Sequence, residues 1–301
     1  MSEIKRLNPF DLDNEAGYAE WKEQKLAGYP QSLGDLVVEI ADPFALSLGE
    51  KEKILALGAK ANMALYVTKP ATGKESRHPH LAIIEQLGVK ELDHHDGADS
   101  RGLSALSPGG SASDKTAAYI PYSKRAIGWH TDGYYHPWER QTRTLTLYCE
   151  RPADEGGENR VWDHDIAYIR LRDENPEVIR ALMVNGLMTI PARMDGENIA
   201  RPNRSGPVFF VQADGRLQMR YTSRTISIRW RQDETSTAAV TALKTLFEKP
   251  DPLMFQGRLE AGWGLISSNV LHTREAFKDD SDDARRVLYR ARYFDSLPAP
   301  S

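Results

Sequence analysis

Two side chains able to share a metal ion stand one residue apart in GWHTDGYYHPW at 128–138, namely His130 and Asp132. On an extended chain alternate side chains project to one face, so the imidazole and the carboxylate meet the same ion while Thr131 points away. A distant third ligand is offered by His272 in SSNVLHTREAF, at the end of a predicted strand. Two histidines and one carboxylate on one side of a metal leave the opposite positions open, the arrangement through which ferrous iron handles oxygen and a co-reactant. An HxD pair taken alone fits a surface hydrogen bond near a turn just as well. The residues after His272 weigh against that, because KDDSDDARRVLYRARY places Arg285, Arg286, Arg290 and Arg292 in a strand-like run. Arginine is the side chain best suited to two-point capture of a carboxylate, and a dicarboxylate co-reactant needs one such clamp.

The elements that must position these groups change in kind along the chain. Residues 49–63 place Ile54, Leu55, Leu57 and Ala61 at helical spacing, and LAIIEQLG at 81–88 ends in a glycine suited to a helix C-cap. Both are expected as helices outside the main core. The stretch from Glu91 to Lys115 is rich in Gly, Ser, Asp and His and reads as a long loop, a lid or binding segment in the 89–117 region. From residue 118 short β-type runs take over: AAYIPY, TRTLTLYCE, GLMTIPA, PVFFVQ, LQMRYT, ISIRW, GWGLISSNVLH and RVLYRARYF. Helical segments at 166–183, where Pro176 suggests a restart, and at 235–249 interrupt them. The expected fold is mainly β: a jelly roll, or double-stranded β-helix, with flanking α-helices. One domain over 1–301 is expected, with a helical and loop elaboration over about 1–117 and the core over about 118–295.

Bulk properties exclude several function classes. The residues are 40% hydrophobic and 27% charged, the composition of an ordinary globular protein. No apolar run approaches the roughly eighteen residues needed to cross a bilayer, and MSEIKRLNPFDLDNE lacks the apolar stretch of a secretory signal, so no membrane partner and a cytoplasmic location are expected. The net charge of −4 with mixed signs gives no footprint for nucleic acid, which leaves a small molecule as the expected partner. The single cysteine, Cys149, lies in an apolar run and reads as a buried strand residue.

Four motifs then carry a specific resemblance: WHTD at 129–132, GGEN at 156–159 followed by Trp162, VLHTREAF at 270–277, and RRVLYRARY at 285–293. In order and spacing the chain resembles the taurine dioxygenase / 2,4-dichlorophenoxyacetate dioxygenase family, which is also similar to clavaminate synthase. The resemblance implies an Fe(II)- and 2-oxoglutarate-dependent dioxygenase, a hydroxylase consuming O2 and releasing succinate and CO2, with subsequent bond cleavage where the hydroxyl lands beside a heteroatom. It implies that His130, Asp132 and His272 bind Fe(II) and form the catalytic centre. It implies that Arg286 clamps the distal carboxylate of 2-oxoglutarate and that Arg290 meets an anionic group of the substrate. Asn159 stands where relatives carry a threonine that hydrogen-bonds 2-oxoglutarate, and Ile266-Ser267 stands where they often carry Asp-Asn. A homo-oligomer, dimer or tetramer, is also an expectation of the family.

Tyr134, Tyr135 and Trp138 follow the HTD motif closely and suit either a substrate wall, for an ammonium or aromatic group, or ordinary loop packing. The substrate expected is a small anionic or zwitterionic metabolite. His136 reads as a loop residue near the pocket mouth; His94 and His95 as solvated loop residues; His78, His80 and His164 as structural, without partners at ligand spacing. Arg220 and Arg224 read as pocket charge or as partners of surface acids. Two other functions share the triad. A zinc-type hydrolase or isomerase leaves Arg286 and GGEN without a purpose, and a non-catalytic metabolite binder leaves the intact triad without one.

Overall fold

A computed structural model of the chain describes residues 8–70, 77–95, 97–108, 120–280 and 286–300. The long apolar run TLTLYCER forms β5 (Thr144–Arg151), and it is buried on both faces because its sheet is covered on both faces. That sheet has the order β1 (Val37–Glu39), β2 (Met63–Val67), β16 (Trp263–Ser267), β5, β19 (Val287–Tyr293) and β3 (Ser104–Leu106). On one side Tyr66, Tyr148, Ile266, Ala291 and Tyr293 pack against helices α2 (Leu48–Ala61) and α3 (Pro79–Gln86), chiefly through Ile54, Ile83 and Ile84. On the other, Leu65, Leu147, Leu265 and Leu288 share a core with Val161, Trp162 and Leu271 of a second sheet. The second sheet has the order β15 (Met254–Gly257), β7 (Asn159–Trp162), β17 (Leu271–Arg274), β4 (Ile127–His130). Neither sheet closes on itself.

The helices follow their end signals. A capping box of Ser47 and Glu50 starts α2, and Asn62, in the left-handed region at φ 56, ends it. Pro176 restarts the helical stretch as expected, giving α4 (His164–Glu174) and α5 (Pro176–Leu182), and α6 (Glu234–Glu248) is capped by Asp233. Sequence reading missed α1 (Glu15–Leu26), which docks on α4 through Tyr18 and Lys22 to Asp173.

Further expectations need correction. Strands β1, β2 and β3 come from the first 117 residues, so the sheets draw on the N-terminal part as well as on residues after 118. Strand β3 falls inside the stretch read as loop, and residues 96 and 109–117 of that stretch lie outside the described residues. The described part of AAYIPY is a tight turn, Ile120–Tyr122, because Pro121 cannot donate to a ladder. ISIRW pairs only at β14 (Arg229–Trp230), beside β8 (Met188–Ile190) and β11 (Arg204–Gly206). An unforeseen hairpin, β9 (Arg193–Asp195) with β10 (Asn198–Arg201), precedes β11. No helix among the described residues is long and apolar enough to cross a membrane.

His80, expected as structural, lies between the Tyr66 hydroxyl at 2.7 Å and the Thr146 hydroxyl at 2.8 Å under the helices. Burial pushes its imidazole down to about 3. Below pH ~6.5, where an ordinary histidine takes up a proton, the unfolded chain therefore binds a proton that the folded chain refuses. The stability tied to His80 is present above that pH and is lost as pH falls. Urea unfolding at pH 7.5, 6.5 and 5.5 is expected to show a small loss over the first step and on the order of 1 kcal/mol over the second, with a shallower slope in His80→Gln. An unchanged slope in that variant refutes the assignment.

Candidate metal centre

His272 of β17 is the direct antiparallel partner of His130 of β4, so the two imidazoles leave neighbouring strands on the same face, ring centroids 4.1 Å apart. Asp132 follows two residues on, and its Oδ1 lies 3.7 Å from His130 Nε2 and 3.9 Å from His272 Nε2. The three ligand atoms lie within 4.8 Å of one another. Thr131 turns the other way: its N–H donates to the Tyr221 carbonyl at 3.0 Å and its hydroxyl accepts from the Tyr221 N–H at 3.1 Å.

Each imidazole is held by its second nitrogen. His130 Nδ1 donates to the Gly128 carbonyl at 2.9 Å and His272 Nδ1 to the Val270 carbonyl at 3.0 Å. A carbonyl only accepts, so the proton sits on Nδ1 and the Nε2 lone pair faces Asp132. Burial keeps both rings neutral, pushing His130 down to about 3, and His272 also down. Burial alone would raise the Asp132 carboxyl, but the guanidinium charges of Arg290 and then Arg292 outweigh it and hold it well below the usual range. Two neutral nitrogens and one carboxylate oxygen are a donor set for a divalent metal with open positions opposite.

Asn269 ties the parts together, and sequence reading missed it. It occupies the turn between β16 and β17 in the left-handed region at φ 54. Its Oδ1 accepts from the Asp132 N–H at 2.8 Å, and its Nδ2 donates to the carbonyls of Asp132 and Thr142, both at 2.9 Å. The available signal was an asparagine in a serine-rich turn just before the distal histidine, since asparagine tolerates that backbone conformation better than most residues. Ile266 and Ser267 instead belong to β16, Ile266 packing under the helices and Ser267 donating to the Leu145 carbonyl.

Leu288, Arg290 and Arg292 share the inner face of β19, as alternation requires, with Arg286 immediately before the strand, while Tyr289 and Tyr293 pack on the helix side. Arg290 Nη1 lies 3.1 Å from Asp132 Oδ2. Arg292 pairs with Asp93 at 2.6 Å and donates to the Tyr135 hydroxyl at 2.6 Å. Arg286 is 3% exposed and stands 5.0 Å from the Phe277 ring. Its buried Nη1 has no hydrogen-bond partner among the described residues, and burial lowers its pKa. Gly156 of the GGEN motif passes so close to the Ala276 carbonyl that a Cβ would lie 2.4 Å from it, at φ 73, and Gly157 then borders the Arg286 side chain. Arg285 lies outside the described residues.

Asn159 and His272 line a small cleft between the sheets with Leu65, Leu147, Val161 and Leu265. Asn159 Nδ2 donates to the Thr273 carbonyl at 2.9 Å, and its buried Oδ1 has no partner among the described residues. Tyr134 and Tyr135 meet edge to face at 5.4 Å, and the Tyr134 hydroxyl accepts from Arg224 at 3.2 Å. Trp138 is set apart on the surface, 46% exposed and tilted against the Phe210 ring at 4.6 Å.

Several bland expectations need revision. His94 is exposed, but His95 is not a solvated loop residue. It accepts from the Gly97 N–H, meets the Ser104 hydroxyl at 3.0 Å, and is pushed down to about 3 by burial and then by Arg292 and Arg290. His136 stands between the Thr142 hydroxyl and Asp93, outside the triad. His164 does lie at ligand spacing from Asp163 and Asp165, yet the Lys25 ammonium, 2.8 and 2.7 Å from the two carboxylates, fills that knot, and His164 Nε2 donates to the Leu217 carbonyl. Arg220 pairs with no surface acid: its donors go to the carbonyls of Tyr134, Met188 and Arg204.

The model of the family described as "Taurine catabolism dioxygenase TauD, TfdA family" matches residues 59–292. Two curated relatives are named uridine-5'-phosphate dioxygenase. The one from Amycolatopsis sp is 29% identical over 171 residues, covering 55% of this chain and 60% of its own length. The one from Streptomyces sp is 30% identical over 189 residues, covering 60% and 66%. The matched stretch thus spans less than two thirds of these relatives. Among solved structures, the non-heme iron oxygenase OrfP in complex with Fe and alpha-ketoglutaric acid superposes with a TM-score of 0.59 at 16% identity, covering 97% of this chain and 91% of that one. AAD-2 in complex with Mn(II) and N-oxalylglycine gives 0.60 at 13% identity, covering 88% and 96%. At such identities these two establish likeness of fold.

If Asn269 positions the Asp132 carboxylate, Asn269→Ala and Asn269→Gly are both expected to weaken Mn(II) binding by about tenfold or more in calorimetric titration, since partners that orient a ligand carry that much. Glycine accepts the turn conformation, so normal affinity in the glycine variant assigns the asparagine to the backbone alone.

Proposed function

The chain belongs to the taurine catabolism dioxygenase TauD, TfdA family, and we propose that it is an Fe(II)- and 2-oxoglutarate-dependent dioxygenase that hydroxylates a small phosphorylated metabolite. We read its two facing sheets as the double-stranded β-helix of that family. The observation that carries the reading is the convergence of His130, Asp132 and His272 on one point, with a buried and partly unpartnered Arg286 at the start of β19.

The residues fit the groups assigned to them. His130 and His272 present lone pairs and Asp132 a charged oxygen, so they would hold Fe(II), and Arg286 would hold the distal carboxylate of 2-oxoglutarate. Bound there, iron and 2-oxoglutarate supply the oxidation, with O2 consumed and succinate and CO2 released. The chain supplies position. The Nδ1–H bonds to Gly128 and Val270 keep the two rings from turning, and Asn269 keeps Asp132 from swinging out of line. Apolar walls at Leu65, Leu147, Val161 and Leu265 keep bulk water from the cleft beside His272. Arg290, close to Asp132, neutralises its second oxygen and is placed to meet an anionic substrate. Asn159 retains one free amide hydrogen for 2-oxoglutarate, its other being given to Thr273. The phosphate in the substrate class rests on the names of the curated relatives. A non-oxidative hydrolase on the same triad has no use for Arg286.

Asp132→Ala and His272→Ala are each expected to abolish substrate-dependent succinate release, measured with uridine 5'-phosphate and with a panel of phosphorylated and zwitterionic metabolites. Full turnover by either purified variant refutes the triad. Arg286→Ala is expected to raise the apparent KM for 2-oxoglutarate by about tenfold or more, through loss of a charge-assisted pair. An unchanged KM shows the clamp to be elsewhere.

A further inference from the structure

Building on the oxygenase reading, we infer that the mouth of the site holds a second anion subsite, in which Arg201 and Arg204 grip the phosphate of a phosphomonoester substrate beside Tyr135. The subsite is distinct from Arg286 and from Arg290, and it is built on a rigid frame. Arg220, 2% exposed, donates to the carbonyls of Tyr134 at 2.7 Å, Met188 at 3.1 Å and Arg204 at 2.9 Å. It thereby staples Tyr134, two residues beyond Asp132, to β8 and β11. Arg201 closes β10, donates Nη2 to the Pro191 carbonyl at 2.8 Å, and stands 5.7 Å from the centre of the Tyr135 ring. Tyr135 is itself fixed through its hydroxyl by Arg292, which leads back to the charge on Asp132.

What this frame presents is positive charge without an acceptor. Among the described residues, the buried Nη1 of Arg201 and the buried Nε of Arg204 have no hydrogen-bond partner. Burial, and then the neighbouring Arg193 and Arg204, lower the pKa of Arg201, and Arg220 is pushed down to about 10 by burial and by Arg201. Two carboxylates of the metal site are engaged elsewhere, Asp93 with Arg292 and Asp132 with Arg290. Buried guanidinium donors left open are costly unless a ligand closes them. A carboxylate brings two oxygens and one charge. A phosphomonoester brings three terminal oxygens and nearly two charges, which matches donors from two arginines that repel each other when the subsite is empty. The Tyr135 face beside them offers a surface for the organic part of the same molecule.

Anaerobic calorimetry on the full chain with Fe(II) and 2-oxoglutarate tests this with uridine 5'-phosphate, uridine and inorganic phosphate. Uridine 5'-phosphate is expected to bind about tenfold or more tightly than uridine, and inorganic phosphate to compete with it. Arg201→Gln and, independently, Arg204→Gln are expected to remove that preference while leaving affinity for 2-oxoglutarate unchanged. Equal binding of the phosphorylated and unphosphorylated forms by the native chain, or full retention of the preference in both variants, overturns the subsite. The same samples report on the oxygenase reading separately, through the visible charge-transfer band that Fe(II) and 2-oxoglutarate give together. Loss of that band with phosphate preference intact sinks the oxygenase and leaves the anion subsite standing.

Discussion

One register decides the site: His272 opposite His130 in the antiparallel pair β17 and β4. Side chains alternate along a strand, so a slip of a single residue would send one imidazole to the opposite face and leave no metal centre. The turn before β17 holds that register. Asn269 reaches from it to both backbone groups of Asp132 and to Thr142, so the strand end carrying the carboxylate and the strand carrying the distal histidine move as one piece. On the far edge of β4, Thr222 bridges His130, and Thr131 exchanges bonds with Tyr221. The ligands are thus fixed from both sides by backbone pairing, which is stiffer than any side-chain contact among themselves.

Buried arginines give the site its second character, and their hydrogen bonds separate two jobs. Arg274 and Arg286 both stand 5.0 Å from the Phe277 ring. Arg274 gives both of its Nη groups to the carbonyls of Ile120, Pro121, Ser123 and Arg125 and so closes the turn leading into β4. Arg220 does the same for Tyr134, Met188 and Arg204. Arg286 instead has an Nη group, Nη1, in the core with no acceptor among the described residues. A desolvated guanidinium is expensive without an acceptor, so the same residue type is structural where carbonyls surround it and suited to a ligand where they do not.

Much of this was legible in the residues. The HxD spacing, the distant histidine at the end of an apolar run and the alternating arginines of RRVLYRARY rest on the period of two that any strand imposes, and the helix ends follow from Ser47, Asn62, Gly88 and Pro176. Other features were hidden for identifiable reasons. Strands β1 and β2 are short and β2 runs straight on from α2, so a helical pattern masks the change of period. Strand β3 sits in polar, glycine-rich chain and is a strand only because β19 offers it an edge. His95 looks solvated among aspartates, yet it is partly buried and faces the charges of Arg292 and Arg290, some two hundred residues away along the chain.

Local chemistry, then, was set by the sequence: which side chains can ligate, which can clamp a carboxylate, and which face of a strand each must occupy. Those properties are intrinsic to residue type and to backbone geometry over a few residues. Tertiary structure decided the rest, because it alone brings chain-distant groups together. It placed Asn269 under Asp132, turned Arg220 inward to three carbonyls, and left Arg201, Arg204 and Arg286 with buried donors open. Whether a polar group is satisfied depends on every neighbour around it, and no short stretch of sequence contains those neighbours.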